Sequence, residues 1–142
     1  MTALAAFFGF SVLSLPILLA ASEPSFWRFL AEMGDVTALG MAALGSSIGI
    51  GMAGQAAAGA WAKEARAGRN LSFTYIILVG MPISQTLYAM IVMNNMRSVF
   101  ANMDVTVAEA GLLLGIGLST GMGEMLSAWM QGLIGAAGIR AL

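Results

Sequence analysis

The sequence predicts an all-α integral membrane protein with four transmembrane helices arranged as antiparallel hairpins. Of the 142 residues, 59% are hydrophobic and only 9% are charged, and the mean hydropathy is +0.88, whereas a soluble domain carries roughly 25% charged residues. Apolar stretches at 3–21, 36–62, 71–98 and 107–139 each approach or exceed the length of about 20 residues that a bilayer crossing needs. Two of these stretches are rich in small residues, which let membrane helices approach closely.

The composition also excludes several classes of function. The sequence has no Cys and no His, so it offers no disulfide framework, thiolate metal site or imidazole ligand, and zinc or haem chemistry is not expected. The formal net charge of −1 gives no indication of nucleic-acid binding. The 12 methionines are interpreted as adaptable packing residues rather than a copper site.

The N-terminal segment, residues 1–22, has two open interpretations. It is either a retained helix or a cleaved signal peptide: small residues precede Glu23, but the expected positively charged n-region is missing. Residues 23–35 are more polar and are expected to lie at the membrane interface, with Phe26 and Trp27 as candidate belt residues.

The second predicted helix, residues 36–62, is dominated by small side chains. Gly45 and Gly49 have GxxxG spacing, and three further glycines widen the smooth face of this helix: Gly51, Gly54 and Gly59. A nucleotide-binding loop is the weaker interpretation, since no strand precedes these glycines. They predict a helix-packing surface.

Loop charges predict the orientation in the membrane. The loop at 63–70 is the most basic, and the positive-inside rule places it in the cytoplasm. The stretch 71–98 then crosses outward, Asp104 lies outside, and 107–139 crosses back to place Arg140 inside. With the first stretch retained, both termini are cytoplasmic.

Polar side chains interrupt the third stretch near its middle. Ser84, Gln85 and Tyr88 are spaced at i, i+1 and i+4, so they are expected to share roughly one helix face. Pro82 loosens the helical ladder, so that a nearby carbonyl such as that of Met81 could face a bound cation. Polar groups in hydrocarbon are costly unless they find partners or a ligand. The cluster predicts a cation site.

The last stretch carries two strongly polar side chains, Glu124 and Gln131. They are two turns apart, about 10 Å along a helix, so one cation could not easily contact both. Gln131 together with Ser84 and Gln85 makes a set of hard oxygen ligands, which favours Na⁺ or a hydrated proton over a soft metal. Glu124 is either a functional carboxylate or a protonated residue at an interface.

The last stretch also resembles the second one. Residues 56–59 match 135–138 at one offset, and residues 47–51 match 119–123 at another. A duplicated helical hairpin and a fortuitous similarity between two Gly/Ala-rich spans both explain the pattern, and we favour duplication.

Three motifs together resemble the proteolipid (the K or c subunit) of V/A-type rotary ATPases. They are the glycine run at 45–54, Pro82-x-Ser84-Gln85-x-Leu87-Tyr88, and residues 130–139 around Gln131. The resemblance covers about residues 36–140 and implies a first proteolipid hairpin at 36–99 and an incomplete second hairpin at 107–140. It also implies a rotor ring that carries Na⁺ or H⁺, coupled to ATP hydrolysis or synthesis in other subunits.

The resemblance further implies the partners and the site. The partners would be identical subunits in a ring, a stator subunit, central-stalk subunits and membrane lipid, with no nucleic acid and no cofactor, in the plasma membrane of a prokaryotic cell. The ion ligands would be the Met81 carbonyl, Ser84, Gln85 and Gln131, and Tyr88 would bond the essential carboxylate.

Two features depart from the family pattern: the leading span at 3–21 is not part of the usual two hairpins, and the expected carboxylate is missing. In the family it lies on a further helix, which has no counterpart before Leu142, and Glu124 is not at a ligand position. Three explanations are open: a truncated sequence, which we favour, a substitution by Glu124, or a ring component without its own ion site. The alternative class of function is a structural or assembly protein whose Gly-rich faces pack other helices without transport. An integral-membrane enzyme is not supported, since no intramembrane charged pair offers acid–base chemistry.

Overall fold

The computed structural model describes residues 24–100 and 104–142, which form four α-helices. They are α1 (Pro24–Arg66), α2 (Thr74–Gly80), α3 (Ile83–Phe100) and α4 (Val107–Ala141). The all-α prediction is confirmed, since these residues contain no strand. The predicted helix at 3–21 lies outside the described residues, so the count of four spans stays a prediction.

Two segments of the described chain are long and apolar enough to cross a membrane, judged by length and composition: Phe26–Arg66 and Thr74–Val99. Only 33% and 22% of their apolar windows are buried inside the protein, unlike the core helix of a soluble domain. α4 is not one of these two segments, although its 35 residues make it about 50 Å long, more than the roughly 30 Å of a bilayer core. The exposed apolar surface needs lipid or another helix to cover it.

α1 begins at Pro24 rather than at residue 36, so the polar segment expected at the interface continues the span without a break. One reason that the helix can include this polar segment is that Asp35 has a partner on α3. The Asp35 side chain is only 3% exposed, and its Oδ2 accepts a hydrogen bond from Arg97 Nε at 2.7 Å. Because α3 neutralises this carboxylate, α1 can bury it between helices.

The predicted stretch 71–98 forms two helices instead of one. α2 ends at Gly80 and α3 begins at Ile83, with Pro82 between them. Pro82 has no N–H to donate to the carbonyl of Leu78. After the break, the backbone N–H groups of Ser84 and Gln85 donate to the carbonyls three residues back, each at 3.3 Å, so α3 starts with a tight turn.

α1 runs antiparallel to α2 and α3. Near one end of α1, Asp35 pairs with Arg97, and near the other end Glu64 accepts a hydrogen bond from Tyr75 at 2.9 Å. Small buried clusters fill both ends of the bundle. One contains Ala31, Met96, Ala110 and Leu113, and the other contains Ala53, Ala57, Tyr75 and Ile139.

Glycines set the contact between α1 and α4. A Cβ atom on Gly117 would clash with the backbone of Gly34, and one on Gly132 would clash with the backbone of Gly49. In both pairs the α4 residue lies 83 positions after the α1 residue, so the two helices are parallel and in one register. Equivalent helices of a duplicated hairpin would pack in this way, although the sequence similarity suggested offsets of 79 and 72.

The five predicted packing glycines divide into two groups. Gly45 and Gly49 contact the backbone of α4 at Met125 and Ala128. A Cβ atom on Gly51 or Gly59 would meet none of the described residues within 4 Å, and one on Gly54 would reach only Val79 Cγ1 at 4.0 Å. Within one chain, therefore, only the first group packs helices closely, and a role for the others between chains stays a prediction.

Candidate ion-binding site

The break at Pro82 is held against α1 by two hydroxyl groups. Ser46 Oγ donates to the Pro82 carbonyl at 2.6 Å, and Thr86 Oγ1 donates to Ser46 Oγ at 2.7 Å. The Pro82 ring lies against Gly49, where a Cβ would come within 2.9 Å of Pro82 Cγ. This anchor fixes the position of the break relative to α1.

A groove of about 480 Å³ opens beside the break. Its walls are apolar residues of α2 and α3 together with three predicted ligands, Met81, Ser84 and Gln131. Ser84 Oγ donates to the Met81 carbonyl at 2.9 Å, so the predicted hydroxyl and carbonyl ligands are adjacent. The structure thus brings residues that are far apart in sequence to one groove.

The amide of Gln131 is the most informative group of this site. Its Oε1 atom is buried and accepts no hydrogen bond from any residue in the described ranges. A buried acceptor without a partner costs about 1–3 kcal/mol, and native proteins leave few such atoms. A cation, or a donor from another chain, would satisfy this oxygen.

Gln85 and Tyr88 do not line the groove. Gln85 is 8% exposed and lies on the buried side of α3 with Ala89, whereas Tyr88 is 55% exposed. Consecutive residues of an α-helix point about 100° apart, so Ser84 and Gln85 diverge. The cluster expected on one face is divided between the groove, the helix interface and the outer surface.

Glu124 does not line the groove either. It is half-buried on α4, which is helical without interruption from Val107 to Ala141. Without a distortion of α4, Glu124 stays about 10 Å from Gln131 along the helix axis. The described residues contain no group of three or more acidic, His or Cys side chains that could hold a metal ion.

Two parts of this architecture were not predicted from the sequence. The hydrogen bond between Thr86 and Ser46 was missed because Ser46 lies in a glycine run that was interpreted only as a packing surface. The buried pair of Asp35 and Arg97 was missed because the two residues are 62 positions apart. Hairpin pairing would have indicated it, since both residues lie at the same end of antiparallel helices.

The fold and the groove together define a class of protein: a helical membrane protein with small-residue packing faces and a few polar oxygens set within a span. A family model for the C subunit of ATP synthase matches residues 33–94, which contain most of α1, all of α2 and part of α3. The match confirms the resemblance of this segment to a rotary-ATPase proteolipid. Neither a curated protein nor a solved structure shows significant similarity to the chain.

The proteolipid family that matches residues 33–94 has a well-defined general role. Proteolipids of this family are integral-membrane helical hairpins that assemble into oligomeric rings and act as the rotor of an ATP synthase or ATPase. They transport H⁺ or Na⁺ without a known cofactor and are not themselves catalytic. The match ends at residue 94, so it does not reach Gln131.

Proposed function

We propose that this chain is a rotor-ring proteolipid of a V/A-type rotary ATPase or ATP synthase, carrying Na⁺ or H⁺ across the membrane. The observation that supports the proposal is the buried, unpartnered Oε1 of Gln131, within the described chain, at a groove shared with Met81 and Ser84. The match to the ATP synthase proteolipid family supports the rotor role. ATP chemistry is carried out by other subunits of the complex.

The oxygens at the groove suit a small hard cation. A main-chain carbonyl, a hydroxyl and an amide are ligands that favour Na⁺ or a hydrated proton over soft metals. All three are neutral, so they offset the dehydration of an ion poorly. In this proposal, a carboxylate from a helix outside the described residues packs against the groove and supplies the countercharge.

The surface around the groove supports contact with such a helix. Ile77, Ile83 and Leu87 on its walls are 61%, 48% and 50% exposed. This apolar surface around the polar groups is suited to packing against a further helix. Tyr88, at 55% exposure, is proposed to donate to the incoming carboxylate. Gln85 is proposed to join the ligands after a side-chain rotation on assembly.

Carbodiimide labelling of the assembled complex, with and without Na⁺, tests this function. The reagent attacks a protonated membrane carboxylate, and a bound ion protects it. In Gln131→Ala we expect Na⁺ protection to need at least tenfold more Na⁺, since one ligand is lost. Asn94→Ala removes an exposed amide from α3 and should leave protection unchanged. Equal protection in both variants would refute the proposed ion site.

The second candidate function is a structural or assembly protein without ion transport. The backbone-to-backbone contact of α1 with α4 favours it, because such packing serves assembly whether or not an ion is carried. Complementation of a strain that lacks its proteolipid separates the two functions. Growth that depends on ATP-driven ion transport supports the rotor role, whereas ring assembly without transport supports the structural role.

A further inference from the structure

A second pocket, of about 420 Å³, lies where the C-terminal ends of α1 and α4 meet the loop after α1. Three cationic side chains line it: Lys63 from α1, Arg69 from the loop and Arg140 from α4. They come from three separate elements of the chain, and all three are exposed. The fold therefore gathers positive charge at one end of the bundle.

Within the described chain, these three cations form no salt bridge. The ion pairs there are Arg28–Glu32 and Arg97–Asp35, and neither involves the pocket. Glu64 also lines the pocket, but both of its carboxylate oxygens already accept hydrogen bonds, from Tyr75 Oη at 2.9 Å and from the Ser72 N–H at 3.0 Å. The side chains that line the pocket carry three positive charges against one negative charge, so they would attract an anion.

Beside the charged residues and the polar Gln55 and Tyr75, the pocket has an apolar wall at the end of the bundle. Ala56, Ala60 and Ile139 contribute apolar surface. The Trp61 ring contacts Tyr75, with ring centroids 5.9 Å apart, and its Nε1 donates to the Ser72 carbonyl at 2.9 Å. Trp and Tyr with a polar contact at a helix end are typical of the headgroup level of a bilayer.

We propose that this pocket binds the phosphate headgroup of an anionic membrane phospholipid. Guanidinium groups bind phosphate oxygens in a two-bond fork, so Arg69 and Arg140 would hold the phosphate, with Lys63 as a point charge. Basic pockets between membrane helices on the cytoplasmic side suit such lipids. Free phosphate would satisfy the charges but would leave the apolar surface without a ligand. The proposal requires a membrane-embedded bundle and does not depend on ion transport.

Native mass spectrometry of the purified protein in neutral detergent tests the proposal. The probes are short-chain phosphatidylglycerol, phosphatidylcholine of equal chain length, and inorganic phosphate as a competitor. We expect phosphatidylglycerol to bind at least tenfold more tightly than phosphatidylcholine, and phosphate at equal concentration to displace little of it. Equal affinity for the two lipids, or displacement by phosphate at equal concentration, would overturn the assignment.

Matched variants locate the binding. Arg69→Gln and Arg140→Gln should each weaken phosphatidylglycerol binding about fivefold, the effect of one basic residue near a charged membrane surface. Arg66→Gln removes the same charge at the same helix end, but Arg66 does not line the pocket, so binding should be unchanged. Circular dichroism checks that each variant keeps its helices. Equal losses in all three variants would show that a diffuse surface charge attracts the lipid, and would overturn the assignment of binding to this pocket.

Discussion

The buried ion pair of Asp35 and Arg97 gives a prediction with a definite order of stabilities. The Asp35 side chain is 3% exposed and the Arg97 side chain is 55% exposed, so the carboxylate carries most of the desolvation cost. Its Oδ1 atom already lacks a hydrogen-bond partner among the described residues. Arg97→Gln would leave a buried charge without compensation, which typically costs about 3–5 kcal/mol.

We expect Arg97→Gln to destabilise the bundle by about 3 kcal/mol, at the low end of that range because water reaches the guanidinium. Asp35→Asn should cost about 1 kcal/mol, since a neutral amide can still accept from Arg97. The double variant should be more stable than Arg97→Gln alone, because it leaves no buried charge. The exposed pair of Arg28 and Glu32 is the control, and Arg28→Gln should cost about 0.3–0.5 kcal/mol.

The assay is reversible unfolding in mixed micelles, with helix content followed by circular dichroism as denaturing detergent is added. A difference of about 3 kcal/mol corresponds to a change of about 100-fold in the unfolding equilibrium constant. If the double variant were less stable than Arg97→Gln, the cost would not come from an unpaired carboxylate. The reasoning from burial would then be wrong.

Three further predictions concern packing, the ion site and the start of α4. Gly132→Ala should force α1 and α4 apart and lower ring yield or stability in detergent, whereas Gly123→Ala, which has open space, should not. Gln85→Ala should weaken Na⁺ occupancy, measured as the Na⁺ concentration that protects the complex from carbodiimide. Thr106→Ala removes the capping box formed with Glu109 and should cost about 1 kcal/mol, seen as faster hydrogen exchange over the first turn of α4.

Each of these expectations has a contrary result. Equal stability of the two glycine variants would show that the α1–α4 contact tolerates a methyl group. Unchanged Na⁺ protection in Gln85→Ala would leave that side chain with a packing role only. Unaltered exchange at the start of α4 in Thr106→Ala would mean that packing, and not the cap, holds this turn.

Hydropathy predicted the positions of the two long helices well. The stretches at 36–62 and 107–139 lie within α1 and α4, and the loosening expected at Pro82 is the break between α2 and α3. The early start of α1 could not be predicted in this way. It depends on Arg97 neutralising Asp35, which is a tertiary contact and leaves no local signal.

The candidate site was predicted in part. One groove is lined by Met81, Ser84 and Gln131. The antiparallel packing of α4 against α2 and α3 places Gln131 at the same height in the bundle as the break at Pro82. Gln85 and Tyr88 do not join them, because spacing along the sequence constrains a helix face only to within a wide arc. The side of α3 that packs inward depends on tertiary contacts with α1, such as those of Thr86 with Ser46 and Arg97 with Asp35.

The two glycine crossings of α1 and α4 have a mechanical consequence. Residues 34–49 and 117–132 cover the same length of helix, so the crossings are about 22 Å apart. A single close contact would let α1 and α4 rotate relative to each other about that point, whereas two contacts fix the angle between the helix axes. Because the backbones are in direct contact, no flexible side chain can adjust between them. A lateral force on one helix is therefore transmitted directly to the other. A protein built in this way would turn as a stiff unit.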